Sequence, residues 1–252
     1  MISIVCVYND KHLLETLLLQ SLSAQKTDHE LILVDNRNGE FSSAAEALNS
    51  GGSKCKGEFI LFVHQDVAFT SANALNQIET MIRELPRLGA AGVAGKSKAT
   101  RGRMISNITH GSPAVPVCPY HLDRPVVVQT IDECVICVPR EVFQAQKFDQ
   151  ETCRGWHLYG VDFWLSVQKK GLSVYVIPAD VHHASVAHSF NAAYFDDLRR
   201  VLRKQRSDYR RIYTTMGIWS TRWPVRLQSI WHGAKAYAGP RLGRMRPRRK
   251  SG

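Results

Sequence analysis

Three polar residues, His64, Gln65 and Asp66, stand at the end of an apolar run that covers residues 59–63. Imidazole nitrogens and carboxylate oxygens are common ligands of divalent cations in proteins. A buried strand that ends on such residues predicts that its end forms the floor of a site, while His64 also fits the role of a residue that only caps the strand.

Strand-like and helix-like patterns alternate along the first hundred residues. The predicted strands cover residues 2–7, 30–34, 58–63 and 89–94, and the predicted helices cover residues 13–22, 44–48 and 73–85. This alternation predicts an α/β fold in which helices flank a mostly parallel central sheet. Such sheets bind ligands beyond the carboxyl ends of their strands.

The first and second predicted strands also end on polar residues, Tyr8-Asn9-Asp10 and Asp35-Asn36. Because the carboxyl ends of parallel strands meet at one edge of the sheet, we expect these residues and residues 64–66 to form one site. Ordinary loop solvation explains any one of the three ends, but it explains all three less well. Neither a G-x-G-x-x-G turn nor a P-loop is present, so a metal or side chains would hold a bound phosphate.

The segment from Asn49 to Asp66 resembles a pattern of the family 2 glycosyltransferases, which have the GT-A fold. That pattern is N-x-G-x-x-x-A-x-G-E, followed by a strand and D-x-D. Five residues of the chain fall in register with it: Asn49, Gly51, Gly57, Glu58 and Asp66. Cys55 replaces the alanine and His64 replaces the first aspartate. The resemblance extends to about residue 190, and glycosyltransferases with HQDV at this point form a recognisable subgroup of it.

The resemblance implies an inverting transfer of a sugar from a nucleotide-diphosphate sugar, expected to be a UDP-sugar, to an acceptor hydroxyl. By the resemblance, Tyr8, Asn9 and Asp35 hold the base and ribose, and Asp66 binds the metal that bridges the diphosphate. The cofactor is then a divalent metal at Asp66, with His64 either as a second ligand or outside the metal site. A site that mixes nitrogen and oxygen ligands suits Mn²⁺ better than Mg²⁺. Two more residues are expected on the nucleotide-sugar side, Asn49 and Gln65.

A histidine after the predicted strand 172–178 completes the metal site in the resemblance. His182 and His183 both stand there. Neighbouring residues of a strand point to opposite sides, so only one of the two would face the site. The residues alone leave the choice open.

The resemblance divides the GT-A domain, residues 1–190, into a nucleotide-sugar half over residues 1–100 and an acceptor half over residues 101–190. Four residues are predicted to bind the acceptor, which is expected to be a lipid-linked or cell-surface glycan: Asp132, Glu133, Trp156 and His157. Asp162 begins a predicted helix, and the resemblance makes it the general base that takes the proton of the acceptor hydroxyl. Asp149 is the alternative base. An acid in the first helical turn also suits the helix dipole without any catalytic role.

Positive charge is concentrated towards the end of the chain. Residues 199–252 hold 16 Lys and Arg and one acid, a net charge of +15, whereas residues 1–198 carry a net charge of −4. Apolar residues at helical spacing predict a basic amphipathic extension over residues 191–240, and a disordered tail is expected over residues 241–252. Cations interleaved with tryptophans favour peripheral attachment to an anionic membrane over a merely solvated basic face.

Composition limits the remaining function classes. No apolar run approaches the roughly 20 residues of a membrane span, and the first ten residues lack a signal-peptide pattern. A cytoplasmic protein, attached to the inner face of the membrane, is therefore expected, with its six cysteines reduced in the core. Two other functions stay open: a metal-dependent hydrolase that uses His64, Asp66 and His182 or His183, and a nucleic-acid-binding protein. Nucleic acid is not an expected partner, because binding of nucleic acid through the basic tail would leave the three polar strand ends unexplained.

Overall fold

The computed structural model describes residues 1–185 and 190–232, so the predicted disordered tail lies outside the described residues. The strands are β1 (Ile2–Tyr8), β2 (His29–Asp35), β3 (Phe59–Val63), β4 (Val67–Phe69), β5 (Leu88–Gly92), β6 (Ala94–Lys96), β7 (Ile105–Ser106), β8 (Thr109–His110), β9 (Val115–Pro116), β10 (Val126–Val128), β11 (Thr130–Ile131), β12 (Val135–Pro139), β13 (Ser173–Val176), β14 (Val181–His183), β15 (Arg211–Tyr213) and β16 (Ile218–Ser220). The helices are α1 (Lys11–Leu13), α2 (Gln20–Ser23), α3 (Ala44–Gly52), α4 (Ala74–Arg83), α5 (Arg140–Ala145), α6 (Tyr159–Lys169) and α7 (Ala192–Gln205), and the π-helical segment Leu14–Leu19 joins α1 to α2.

Seven strands form the central sheet, in the order β10-β13-β5-β12-β3-β1-β2. β1 runs parallel to both β2 and β3, and β13 runs parallel to β5. β12 lies between β3 and β5 and is antiparallel to both, while β10 closes one edge antiparallel to β13. The sheet is thus mixed and mostly parallel, as predicted, and β1, β2 and β3 end at the same edge.

Both faces of the central sheet are covered, which explains why its strands are apolar throughout. On β3, Ile60 and Phe62 belong to one buried cluster, and Phe59, Leu61 and Val63 belong to the other. Residues of α3, α6 and α7 complete the first cluster, and residues of the segment 14–22 and of α4 complete the second. All six cysteines are buried free thiols, which confirms the prediction of reduced core cysteines.

Two glycines of the motif pack helix α3 and the start of β3 closely against β1. A Cβ atom on Gly51 would lie 2.5 Å from the Val5 Cγ1 atom, and one on Gly57 would lie 2.7 Å from the Met1 carbonyl oxygen. Both distances are shorter than any real side-chain contact, so larger residues would force the backbone apart. These glycines shape the scaffold and leave recognition to other residues.

The C-terminal extension packs onto the body of the protein. Tyr194, Leu198 and Val201 of α7 are buried in the first cluster together with Trp219 of β16. The helix is shorter than the predicted extension over residues 191–240, because it ends at Gln205 and the β15–β16 hairpin follows. Residues 225–232 are helical again. Within the described part of the chain, no helix has both the length and the apolar character needed to cross a bilayer.

Candidate active site

Three potential metal ligands converge at the carboxyl end of β3: His64, Asp66 and, from β14, His183. One ligand atom of each lies within 4.8 Å of the other two, and His183 Nε2 is 3.3 Å from Asp66 Oδ1. β14 reaches this point because it pairs with β4, the short strand that follows Asp66. Two imidazole nitrogens and one carboxylate oxygen are a donor set that fits a divalent first-row metal.

The neighbouring histidines of β14 have different surroundings. His183 faces Asp66, whereas the His182 Nδ1 atom is 3.2 Å from the Thr109 hydroxyl oxygen on β8. The alternation of side chains along a strand accounts for this difference. Of the two histidines between which the sequence left the choice open, the geometry supports His183 as a metal ligand and does not support His182.

The protonation states of the three side chains suit a cation. Burial, with a smaller contribution from the charge of His183, lowers the pKa of His64, so its imidazole is neutral at neutral pH. Burial is the largest influence on the pKa of Asp66 and would raise it, but the hydrogen bond with His183 and the charges of His183 and His64 together outweigh burial, and the net shift is downward. At His183, burial would lower the pKa, but the hydrogen bond with Asp66 and the charges of Asp66 and Asp132 together raise it. A metal bound here would replace the proton that holds His183 against Asp66.

A cavity of about 500 Å³ opens beside this cluster, on the side of β1. Its walls include three residues predicted to bind the nucleotide sugar, Tyr8, Asn9 and Gln65, and the Asp66 carboxylate stands at its inner end. Asn36 also lines it and was not predicted as a site residue, although it adjoins Asp35 in the sequence. The three polar strand ends thus meet at one cavity, as the sequence analysis expected.

Gln65 joins the ends of β1 and β3. Its Oε1 atom accepts hydrogen bonds from the backbone N–H groups of Asn9 and Asp10, both at 2.9 Å, and its Nε2 atom donates to Asn9 Oδ1 at 2.8 Å. These bonds fix the turn after β1 relative to the metal cluster. Gln65 therefore holds one wall of the cavity in place.

Asp35 lies behind the cavity wall rather than in it. Its Oδ2 atom accepts hydrogen bonds from the Tyr8 hydroxyl at 2.9 Å and from Arg37 Nη2 at 2.7 Å. The hydrogen bonds from Arg37 hold the pKa of Asp35 well below its ordinary value. The carboxylate already has these partners, so its geometry supports positioning of Tyr8 in place of the predicted direct contact with the nucleotide.

Asn49 does not line the cavity, and its geometry does not support the predicted binding of the nucleotide sugar. Its Nδ2 atom donates to the Phe148 carbonyl at 2.9 Å, and its Oδ1 atom accepts from the Phe148 N–H at 3.0 Å. The side chain therefore forms both of these bonds with one backbone residue and fastens α3 to the segment after α5. This structural role explains why the motif contains an asparagine.

A second cavity, of about 560 Å³, lies on the other side of the metal cluster. All four residues predicted to bind the acceptor line it: Asp132, Glu133, Trp156 and His157. Other lining residues were not predicted, including His110 on β8 and Thr214 and Met216 in the turn of the β15–β16 hairpin. No local pattern indicates these residues, because only the pairing of β8 with β14 and the packing of the hairpin bring them to the site.

The two cavities share four residues: His64, Asp66, Glu133 and Trp156. A ligand in one cavity and a ligand in the other would therefore meet at the metal cluster. Trp156 is 43% exposed, so an aromatic surface is available at this junction for an apolar face of a ligand. The junction is where a group could pass between two bound molecules.

Glu133 is held at the N-terminus of α6. Its Oε1 atom accepts a hydrogen bond from the Gly160 N–H at 2.7 Å and its Oε2 atom accepts one from the Leu158 N–H at 3.3 Å. Leu158 itself has a left-handed backbone conformation with φ of 61° and no capping side chain of its own. Burial raises the pKa of Glu133 to about 8, although these amides favour the charged form, and Asp132 adds to the rise.

The carboxylate of Asp162 points away from both cavities. It is 1% exposed, and it accepts hydrogen bonds from Lys204 Nζ at 2.6 Å and Gln205 Nε2 at 2.8 Å on α7. Asp149, the alternative base, binds the same Lys204 ammonium at 2.6 Å. This geometry does not support either residue as the general base, because both carboxylates are bonded to the Lys204 ammonium and neither lines a cavity.

Comparison with protein families decides the class of the chain. The model of the glycosyltransferase-like family matches residues 2–207. The chain belongs to this family. No curated protein sequence matches it. The match of this glycosyltransferase-like protein ends at residue 207, just after α7 and beyond the predicted domain boundary at residue 190.

Solved structures similar to this glycosyltransferase-like protein have the GT-A fold. The mannosyltransferase PcManGT from Pyrobaculum calidifontis, in complex with GDP-Man and Mn²⁺, superposes with a TM-score of 0.57 at 13% identity over 82% of this chain and 64% of that one. S. aureus TarS 1-349 in complex with UDP-GlcNAc gives 0.57 at 14% identity over 80% and 65%. GalNAc-T7 with UDP, GalNAc and Mn²⁺ gives 0.55 at 13% identity over 80% and 47%. The chain thus spans less than two thirds of each of these proteins.

Proposed function

We propose that the protein transfers a sugar from a nucleotide-diphosphate sugar to an acceptor hydroxyl with inversion at the anomeric carbon. The observation that carries this proposal is the metal-ligand cluster at the wall shared by two cavities. The nucleotide would occupy the cavity lined by Tyr8, Asn9 and Asn36, and the acceptor would occupy the cavity lined by Asp132 and His157. The similar structures with GDP-Man, UDP-GlcNAc and UDP support the donor class.

The proposed cofactor is a divalent metal held by His64, Asp66 and His183. A divalent cation in this position would neutralise the negative charge that develops on the leaving diphosphate. Two nitrogen ligands favour Mn²⁺ over Mg²⁺, and the similar structures of PcManGT and GalNAc-T7 contain Mn²⁺. We expect UDP to be the preferred diphosphate, with a glycan or a lipid-linked saccharide as the acceptor.

Glu133 is the general base in this proposal, in place of Asp162. In the transfer, the oxygen of the acceptor hydroxyl forms a bond to the anomeric carbon, and the bond from that carbon to the diphosphate oxygen breaks. The hydroxyl proton passes to Glu133 in its ionised form; because burial raises the pKa of Glu133 to about 8, the transfer should become faster as the pH rises towards 8. Glu133 lines both cavities, and the two hydrogen bonds from backbone amides keep its carboxyl group oriented.

A thermal-shift titration tests the donor and metal sites. The full chain is titrated with UDP, GDP and ADP, each with Mn²⁺, with Mg²⁺ and with chelator. At about 100 times its Kd, a bound diphosphate adds about 2.7 kcal/mol to the free energy of unfolding. We expect UDP with Mn²⁺ to raise the melting temperature of the wild type and to leave that of Asp66→Ala unchanged.

The matched control is Asp28→Ala, which removes an exposed carboxylate that lies outside both cavities. This variant should keep the full shift with UDP and Mn²⁺. No shift with any diphosphate would refute the proposed donor site. A metal-dependent release of product from a phosphate ester, without any dependence on a nucleotide sugar, would instead favour the hydrolase.

A further inference from the structure

The last described helix, residues 225–232, turns two of its polar residues, Gln228 and His232, towards the protein. Gln228 Oε1 accepts a hydrogen bond from the Ser220 N–H at 2.6 Å, and Gln228 Nε2 donates to the Ser220 carbonyl at 2.9 Å. The His232 ring lies on Trp219, with 4.2 Å between the ring centroids. Val225, on the same side, is buried. These contacts fix the rotation of the helix on the β15–β16 hairpin.

Large apolar side chains occupy the opposite side. The exposed fractions are 65% for Trp223, 55% for Leu227, 64% for Ile230 and 62% for Trp231. We call these four residues the apolar patch. Surface helices of globular proteins usually bury their apolar side, so this helix has the reverse orientation. Contiguous exposed apolar residues of this kind mark interaction surfaces.

Unpaired cations surround the apolar patch. Arg222 and Arg226 stand beside and between the residues of the apolar patch in the sequence. The hairpin pairs Arg211 with Ser220, and the Arg210 carbonyl accepts a hydrogen bond from the Thr221 N–H, so both arginines lie close to the start of the patch. All four arginines are exposed, and none forms an ion pair with residues 1–185 or 190–232. Asp208, the one acid in residues 199–252, is paired with Lys169.

We propose that the apolar patch docks on the surface of an anionic phospholipid bilayer. Tryptophan, leucine and isoleucine side chains would enter the boundary between head groups and acyl chains, and the arginines would contact lipid phosphates. A nucleic acid would satisfy the arginines but would leave Leu227 and Ile230 in water. The combination of exposed aliphatic side chains with unpaired positive charge is what favours the bilayer.

The hairpin connects this docking surface to the acceptor cavity. Thr214, Thr215 and Met216, in its turn, line the cavity, and the apolar patch begins beyond its other end at Trp223. At about 3.3 Å per residue, the hairpin spans roughly 17 Å from Met216 to Thr221. This span would allow an acceptor carried on a membrane lipid to reach the junction of the two cavities while the protein stays docked. This step rests on the proposed function.

Flotation of the full chain with lipid vesicles tests the docking itself. The vesicles contain either phosphatidylcholine alone or phosphatidylcholine with about 30% phosphatidylglycerol, at about 0.1 M and about 0.5 M salt. We expect the wild type to bind the anionic vesicles, and to bind them more weakly at high salt. The variant Leu227→Gln/Ile230→Gln should lose at least about tenfold in vesicle affinity.

Leu31→Gln/Leu33→Gln is the matched control, since these two exposed leucines lie on β2, at the opposite edge of the central sheet from β10. It should bind anionic vesicles like the wild type. Equal binding by Leu227→Gln/Ile230→Gln and the wild type would overturn the proposal. Two other results would also overturn it. One is a wild type that stays bound to duplex DNA when vesicles compete for it, and the other is a wild-type dimer that Leu227→Gln/Ile230→Gln dissociates and the control does not.

The docking and the transfer reaction can fail separately. Vesicle binding requires neither a donor nor a metal, so it can be measured on the protein in chelator. If Asp66→Ala binds vesicles like the wild type, docking is independent of the metal cluster, as expected. Vesicle binding without any response to nucleoside diphosphates would leave the docking in place and refute the proposed function.

Discussion

Glu133 is bonded to the start of helix α6 and Asp162 lies within that helix, but the surroundings of the two carboxyl groups differ. The Glu133 carboxyl group accepts hydrogen bonds from the Gly160 and Leu158 amides and lines both cavities. The Asp162 carboxylate lies on the side of α6 that packs against α7, where it accepts hydrogen bonds from Lys204 and Gln205. Neutral amides orient a carboxyl group and leave it able to take a proton, whereas an ammonium neutralises it. The comparison indicates that the first group is available for proton transfer and the second is part of the scaffold.

The largest effect is expected from exchanging each acid for its amide. Glu133→Gln keeps an oxygen acceptor for the Gly160 N–H but removes the proton acceptor, so kcat should fall by about 10²–10⁴-fold. Asp162→Asn should change kcat by less than about tenfold, because this side chain touches neither cavity. Initial rates with a nucleotide sugar and acceptor measure both values.

Diphosphate binding provides the control for that experiment. Glu133→Gln should keep the thermal shift with UDP and Mn²⁺, which separates a catalytic loss from a loss of the donor site. If Asp162→Asn were the inactive variant and Glu133→Gln the active one, the two assignments would have to be exchanged.

A smaller effect, on stability, is expected at the contact between α6 and α7. Asp162→Asn removes a charged partner from Lys204, which keeps only Asp149, and should lower the free energy of unfolding by roughly 1–3 kcal/mol. Denaturant unfolding of the metal-free protein measures this change. Asp28→Asn, at an exposed site, should stay within about 0.5 kcal/mol of the wild type. A loss no greater than that of the control would mean that the ion pair does not stabilise the contact.

The last prediction concerns the pH dependence of the free energy of unfolding. The pKa of Glu133 is raised to about 8 in the folded protein, so between about pH 4.5 and pH 8 the folded state keeps a proton that the unfolded state has released. The free energy of unfolding should therefore fall as the pH rises through this range and level off above it. This slope, about 1.4 kcal/mol per pH unit for one proton, should disappear in Glu133→Gln. Parallel curves for the two metal-free proteins would contradict the environment described for Glu133.

Local patterns were sufficient to place the residues that line the cavity beside β1, because these residues follow strands. A strand that ends at the rim of a parallel sheet delivers its next residues to that rim, so Tyr8, Asn9 and Asp66 could be placed from local patterns. The role of Asn49 was less accessible, because the sequence cannot show that its amide bonds Phe148, which lies 99 positions away along the chain. Choosing between His182 and His183 required the pairing of β14 with β4.

The acceptor side was predicted less completely for a physical reason. Which side of α6 faces the cavity depends on where α7 packs, and this packing joins residues more than 40 positions apart, such as Asp162 and Lys204. The helical spacing from Tyr194 onwards predicted α7 but not its end at Gln205. The hairpin that brings Met216 to the cavity was missed for the same reason.

The wall shared by the two cavities also bears on whether water can compete with the acceptor for the donor sugar. In the proposed reaction, a donor bound alone would leave the second cavity open to water, and Glu133 would take a proton from a water molecule as readily as from an acceptor hydroxyl. Hydrolysis of the donor would then compete with transfer whenever the acceptor is absent. Prolonged residence beside a lipid-borne acceptor would shorten those intervals, so attachment to a surface would save donor sugar as well as bring the substrates together.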